Sequence, residues 1–390
     1  MHPSIALHKK YRGKIEVNSK IAIQTKEDLA LVYTPGVAEV CREIMRDPKS
    51  VYELTIKGNT VAVITDGSAV LGLGNIGPEA ALPVMEGKAM LFKQYAGIDA
   101  FPLCLKTQNT QEIIEIIRNI TPVFGGINLE DIAAPRCFEI EEALQDIGIP
   151  VFHDDQHGTA IVLLAALKNA ARLAGKALTD LKIVINGGGA AGAAIAQLLL
   201  CVGHDDRVCQ PVKDIFVCDS KGIISRDRDD IRSNPMKVKL ANITNREQRI
   251  GGLEDAIMGT DVFIGVSVGG ALKSSLIPTM NEKPIIFAMA NPTPEIMPDE
   301  AMKAGAFIVG TGRSDFPNQV NNVLAFPGIF RGALDARAPR ITNTMKLAAA
   351  YALADYIKNP TVDNIMPSAL DAGATQVVAE AVKKAWEEEK

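Results

Sequence analysis

No two cysteines of this chain are spaced C-x-x-C. The six that occur, Cys41, Cys104, Cys137, Cys201, Cys209 and Cys218, lie far apart and read as reduced thiols of a cytosolic protein, several of them buried. No run of Lys and Arg is present, and the formal net charge is −5. Nucleic acid is therefore not expected as an electrostatic partner. No apolar h-region follows Met1, so a secretory leader is not expected. Only Ile183 to His204 is free enough of charge to be compared with a membrane span. Gly187, Gly188 and Gly189 would break such a helix near its start, so the stretch reads as strand, turn and helix. No membrane partner is expected. Solenoid repeats and low-complexity tracts are absent as well.

What is present is ordinary for a folded protein: 390 residues, 47% hydrophobic and 22% charged. That length suits two domains. Residues 1–155 read as an α/β substrate domain, with strands at Thr60–Thr65, Ile127–Leu129 and Val151–Phe152. Helical patterns run from Pro83 to Tyr95 and from Thr110 to Asn119. Residues 156–390 read as a doubly wound, Rossmann-type α/β domain with C-terminal helices. A helix from Thr159 to Ala174, stopped by Gly175, leads into it. Strands at Lys182–Asn186, Ile215–Cys218, Val262–Val266, Ile285–Ala290 and Phe307–Val309 alternate with helices, one of them capped by Asp299.

The first strand of the second part runs into Gly187-Gly188-Gly189-Ala190-Ala191-Gly192, a G-x-G-x-x-G between strand and helix. Gly187 permits the tight turn, Gly189 lets backbone approach a pyrophosphate, and Gly192 lets helix and strand pack closely. The pyrophosphate would meet backbone N–H groups at the positive end of the helix. The next strand ends in Asp219, which favours the ribose diol of NAD over NADP. Asp219 comes later than usual, so an insertion around Gly203 to Val212 must lengthen the crossover. Ser220 and Lys221 follow it and offer groups for a 2′-phosphate. NAD and NADP both remain open, with NAD slightly ahead.

Glu130-Asp131 and Asp154-Asp155 each follow a short apolar run, where strand ends meet loops. Such hard oxygen donors suit Mg²⁺ or Mn²⁺ rather than Zn²⁺, although acid pairs are commonly just solvated surface. His153 and His157 flank the second pair, but no H-E-x-x-H occurs, and they read as packing or supporting residues. Lys88 has apolar neighbours. If buried, it would have a lowered pKa and could act as a general base; composition alone favours an exposed lysine. Tyr33, in Tyr-Thr-Pro-Gly, is equally ambiguous alone.

Seven segments together resemble the malic enzyme family, in its short bacterial form. They are Leu31–Ala38, Thr65–Gly77, Glu86–Lys88, Asn128–Asp131, Phe152–Thr159, Ala290–Glu295 and Gln319–Asn322. They fall in family order along most of the chain. The resemblance implies a homodimeric, cytoplasmic enzyme that oxidises L-malate, decarboxylates it to pyruvate and CO₂, and reduces NAD(P). A side activity on oxaloacetate is implied too. By resemblance Glu130, Asp131 and Asp155 are the ligands of Mg²⁺ or Mn²⁺, and Lys88 is the general base, with Asp154 as its relay partner. Tyr33 is the general acid. Asn291, Asn321 and Asn322 face substrate, and Asn291 also the nicotinamide. Larger members carry an arginine for a malate carboxylate just before Leu-Gly-Leu-Gly; here Gly67-Ser68-Ala69-Val70 holds none. Two alternatives are an amino-acid dehydrogenase, which needs no metal, and a non-catalytic NAD-binding regulator.

Overall fold

The structure is a computed structural model that describes residues 1–205 and 207–390, and of Leu71 the backbone only. Four short helices open the chain: α1 (Pro3–Tyr11), α2 (Lys26–Val32), α3 (Val37–Arg46) and α4 (Val51–Leu54). No residue before Lys57 is buried.

The first sheet contains β1 (Thr60–Thr65), β2 (Asp99–Cys104), β3 (Gly126–Leu129) and β4 (Val151–His153), in the order β2-β1-β3-β4 and parallel throughout. Between the strands run α5 (Pro78–Ala96), α6 (Thr110–Ile120) and α7 (Arg136–Ala143). All of β1 and β3 is buried, as parallel strands covered on both faces require. The edge strand β2, half-buried along its length, has no counterpart in the sequence reading.

From β4 the chain passes without a loop into α8 (Asp154–Ala174), which starts five residues before the Thr159 read from sequence. Gly175 ends it in the left-handed region at φ 73°. The second sheet follows. Its strands are β5 (Lys182–Asn186), β6 (Asp214–Asp219), β7 (Gly222–Ile223), β8 (Val262–Gly265), β9 (Ile285–Ala288) and β10 (Ile308–Thr311), ordered β10-β9-β8-β5-β6-β7. Only β7 is antiparallel. Chain order reverses beside β5, which makes the end of β5 the switch point where such sheets bind ligands. The covering helices are α9 (Ala190–Leu199), α10 (Pro235–Ile243), α11 (Leu253–Ile257) and α12 (Pro298–Lys303). Met297, not Asp299, is the N-cap of α12; Pro298 supplies a preset φ for the first helical position.

Three last helices, α13 (Phe326–Asp335), α14 (Asn343–Tyr356) and α15 (Ala372–Glu389), return to the first sheet. Phe326 and Phe330 pack edge-on against Phe92 of α5, with ring centroids 4.7 and 5.3 Å away. Ile183 to His204 is indeed strand, turn and helix, and among the described residues no helix is long and apolar enough to cross a membrane. The insertion before β6 is present. It corrects the expectation of six reduced thiols, because it brings Cys201 and Cys209 to a Cα separation of 5.7 Å and they form a disulfide. The other four cysteines are free.

Candidate active site

The carboxylates converge because the first sheet is parallel and in register. Ile64 pairs with Leu129 and Leu129 with His153. Glu130-Asp131 and Asp154-Asp155 therefore leave neighbouring strands at the same level, with strand axes about 4.8 Å apart. Asp131 has φ +54°, a region an aspartate tolerates better than most residues. Its backbone N–H donates to Asp155 Oδ2 at 2.8 Å. One carboxylate oxygen from each of Glu130, Asp131 and Asp155 lies within 4.8 Å of the others. Asp154 and Asp155 also occupy the first turn of α8, the positive end of its dipole.

Lys88 comes from α5, on the stripe of Ala81, Met85, Ala89 and Phe92 that faces the core. It is buried, as is Asp154 beneath it. Its Nζ lies 2.6 Å from Asp154 Oδ2 and 2.8 Å from Glu130 Oε1, and 4.3 Å from the Phe326 ring centroid. Burial would lower the ammonium, but Asp154, Glu130 and Asp155 outweigh it and hold Lys88 above the ordinary lysine range. The expectation of a lowered pKa is corrected on this ground: apolar neighbours in sequence do not show the acids that fold against them.

Three carboxylates, those of Asp154, Glu130 and Asp155, thus act on one ammonium. Burial pushes Glu130 to about 7 and Asp154 to about 7, each against the pull of Lys88. It takes Asp155 to about 6 in the same way, with Asp154 adding to the rise. Uncompensated buried charge is costly. A hard divalent cation fits both the excess negative charge and the all-oxygen donor set.

Asp154 does not line the cavity. Its Oδ2 accepts from Lys88 Nζ and, at 2.6 Å, from Asn322 Nδ2. Among the described residues its Oδ1 has no hydrogen-bond partner. Sequence reasoning missed the glycine that makes room for it: an ideal Cβ at Gly158, one turn along α8, would fall 1.8 Å from Asp154 Oδ1. Gly158→Ala must displace the carboxylate whose other oxygen holds Lys88. Displacements near 1 Å at a reacting centre cost on the order of 10²-fold, so kcat should fall about that far while circular dichroism still reports a folded protein. Unchanged kcat would show that Asp154 need not stand where it does.

Glu141 of α7 was also missed. It is buried, and its carboxylate accepts from the His153 N–H at 3.2 Å and from Gln156 Nε2 at 3.2 Å. His157 Nε2 lies 2.9 Å away. Burial would raise Glu141, but His157 outweighs it and holds the carboxyl at about 2. Glu141 therefore grips the β4–α8 junction that carries Asp154 and Asp155. Neither His153 nor His157 lines the carboxylate cavity, in keeping with a supporting part.

That cavity, about 540 Å³, opens between the two sheets. Lys88, Glu130, Asp131 and Asp155 form one wall. Asn291, Asn321 and Asn322, beyond the ends of β9 and β10, form the other. Gly189, Ala190 and Ala191 complete it. Asn321 and Asn322 are not equivalent: the Asn321 side chain accepts from the Val323 N–H at 2.9 Å, whereas Asn322 is turned to Asp154. Among the described residues no arginine lines the cavity. Gly67–Val70 lies against the loop after β3 instead, with Ala69 N–H on the Asp131 carbonyl at 3.0 Å. Arg136 bonds Asp66 and Ser68 behind it.

A second cavity of about 600 Å³ is lined by Gly187, Gly188, Gly189, Asp219 and Ser220. The two cavities share Ala134, Gly189 and Ser267. The local geometry of the three motif glycines explains why a side chain is excluded at two of them and room is left at the third. Gly187 has φ +132°, space beyond Gly189 is open, and a Cβ at Gly192 would lie 1.8 Å from the Gly187 carbonyl oxygen. One continuous groove therefore joins the glycine-rich turn to an acid-lined pocket. Tyr33 is in neither: it ends α2, two-thirds exposed (67%), and lines neither cavity.

Two family models match the chain: malic enzyme, N-terminal domain, over residues 12–115, and malic enzyme, NAD-binding domain, over residues 156–386. A bifunctional malic/malolactic enzyme of Bacillus subtilis is 55% identical, over 98% of this chain and 92% of that one. An NADP-dependent malic enzyme of Haemophilus influenzae is 50% identical, over 88% of this chain and 44% of the other. The crystal structure of an NAD-dependent malic enzyme from Thermotoga maritima matches with a TM-score of 0.93 at 49% identity, over 98% of this chain and 99% of that one.

Proposed function

This chain belongs to the malic enzyme family, and on that premise we propose that the groove between its two sheets is where L-malate is oxidised and decarboxylated to pyruvate and CO₂. The observation that carries this reading is the meeting of Glu130, Asp131, Asp155 and Lys88 at the mouth of a dinucleotide turn. A domain limit at 155/156 would lie two residues inside α8, just after the junction between β4 and α8.

A divalent ion held by Glu130, Asp131 and Asp155, Mg²⁺ or Mn²⁺, would supply Lewis-acid stabilisation of negative charge on the substrate oxygens. A nicotinamide cofactor held along Gly187 to Gly192 would supply the hydride acceptor. Lys88 Nζ would take the proton of the malate C2 hydroxyl as a neutral amine, a form it reaches only where a bound cation offsets the charge of Glu130 and Asp155 that otherwise holds it protonated; Asp154, which also bonds Asn322, fixes that amine in place. Asn291 and Asn321, on the wall opposite the acids, orient the second carboxylate. Gly187 to Gly192 cradle the pyrophosphate at the start of α9. Asp219, ending β6, supports NAD as the preferred form of the cofactor. Oxaloacetate, which needs only the decarboxylation half of this chemistry, is a side substrate.

Tyr33 supplies the proton for C3 of the pyruvate enolate from a second copy of the chain. Two observations support this. Among the described residues no tyrosine lines the cavity. The segment that bears Tyr33 is unburied, and it exposes Ile21, Leu29, Leu31 and Met45 along with it, apolar side chains that an interface could cover. A homodimer would cover that face.

Titration with Mn²⁺, followed by electron paramagnetic resonance, tests the metal assignment. One tight ion per chain is expected, with affinity lost in Asp155→Asn. Full turnover of malate in excess chelator, with no ion held, would sink it.

A further inference from the structure

Glu295 closes the segment Ala290–Glu295, is wholly buried, and has no part in the chemistry above. Its surroundings follow from the sheet. β8 and β9 run parallel with Gly265 opposite Ala288. The last backbone bond between them goes from the Met289 N–H to the Gly265 carbonyl at 3.0 Å. Beyond it the two strand ends are bridged by the Glu295 carboxylate. Oε1 accepts from the Ser267 N–H at 2.9 Å and Oε2 from the Ala290 N–H at 3.0 Å. An ionised carboxylate only accepts, so it can join two donors; a side-chain amide would turn a donor of its own towards one of them. Gly265 makes room for the bridge, since an ideal Cβ there would fall 2.3 Å from the Glu295 carboxyl carbon.

The bridged loops serve different halves of the groove. Ser267 lines both cavities, and its hydroxyl accepts at 2.9 Å from Asn186 Nδ2, at the end of β5 and next to Gly187. Ala290 leads directly into Asn291, on the wall opposite the acids. Further out the same loops are already joined by backbone: the Gly270 N–H donates to the Pro294 carbonyl and the Leu272 N–H to the Glu295 carbonyl, both at 3.0 Å. The carboxylate therefore fixes the near end, where the loops face the groove. It ties the ends of β5, β8 and β9 together at the switch point of the sheet. Glu295 itself lines neither cavity, so it acts through these loops. A buried charge is costly unless its bonds are satisfied, and here the backbone of both loops satisfies it.

We propose that Glu295 is a positioning residue for hydride transfer: by fixing Ser267 against Ala290 it sets how closely the nicotinamide approaches C2 of malate. In that step the C2–H electron pair and its hydrogen pass to the nicotinamide ring as the hydroxyl proton passes to Lys88. The proposal rests on reading the groove as the site of malate oxidation, and the test separates the two. Reduced nucleotide formed in a single turnover is followed by stopped-flow absorbance, using the full-length chain with Mn²⁺, NAD and L-malate, either unlabelled or deuterated at C2. The wild-type protein should react more slowly with the deuterated substrate. Glu295→Gln keeps the size of the side chain but offers one acceptor where two are needed. Glu295→Asp keeps the charge on a stem too short to reach both loops. Each should slow the step about 10²-fold, the cost of a misplacement of about 1 Å, with the isotope effect still present. The dissociation constant for NAD by calorimetry and the Mn²⁺ affinity by electron paramagnetic resonance should stay near wild type. A role confined to stability would weaken them along with the rate. A wild-type rate in either variant, parallel losses of NAD and Mn²⁺ affinity, or failure of both variants to fold would overturn the proposal and leave the site standing. A wild-type protein that forms no reduced nucleotide from malate would overturn the reading on which it rests.

Discussion

Alanine at position 88 is expected to lower kcat for malate oxidation by about 10²–10⁴-fold, the range that general acid–base groups typically contribute. The dissociation constant for NAD should stay near its wild-type value, because Lys88 lies on the acid wall of the groove and not among the glycines of the dinucleotide turn. Structural loss must be separated from chemical loss, since Lys88 is the buried partner of both Asp154 and Glu130. Removing one member of a buried ion pair typically costs about 3–5 kcal/mol. Thermal unfolding of Lys88→Ala beside Lys88→Met gives that control: methionine keeps most of the buried stem but offers no proton acceptor. Both variants should be inactive even where methionine restores stability. Near wild-type turnover in either would remove Lys88 from the chemistry.

A mixture of two inactive variants should regain activity. Tyr33→Phe takes away the phenol proton and Lys88→Ala the amine. If Tyr33 serves the partner's cavity, each hybrid dimer contains one site with both groups intact and one with neither. Random exchange in a symmetric dimer makes half the molecules hybrids, so the mixture should reach about a quarter of wild-type activity. Tyr33 acting within its own chain would leave every site of every hybrid missing one group, and mixing would restore nothing. The phenol's 67% exposure and its absence from the cavity lining favour the first outcome. Restored activity would also establish the dimer by function, independently of its mass.

How much of this was legible in the residues follows from how local each signal is. The turn after β5 is contiguous, and each glycine's part can be read from its spacing. The acids are legible by type and place, because they end apolar runs that become β3 and β4. Their convergence is not, for it depends on register between strands. Lys88 shows the limit plainly. Its neighbours in sequence are apolar and correctly indicate burial. The groups that set its charge state, Glu130 and Asp154, lie 42 and 66 positions further along the chain. Glu141 carries no signal in the sequence, and its part emerges only when α7 folds against the β4–α8 junction. Asp219 reads as a free ribose acceptor until Arg228 and Lys237 close on it. In each case the identity of the residue was visible, and its partner was not.

The most direct measurement is the stoichiometry of products from L-malate, with Mn²⁺ and NAD, following reduced nucleotide and pyruvate together. The two should appear in equal amounts, cease when chelator removes the metal, and resume when Mn²⁺ is returned. Reduced nucleotide formed with oxaloacetate in place of pyruvate, or pyruvate formed at full rate without any divalent ion, would contradict a site in which Glu130, Asp131, Asp155 and Lys88 act together.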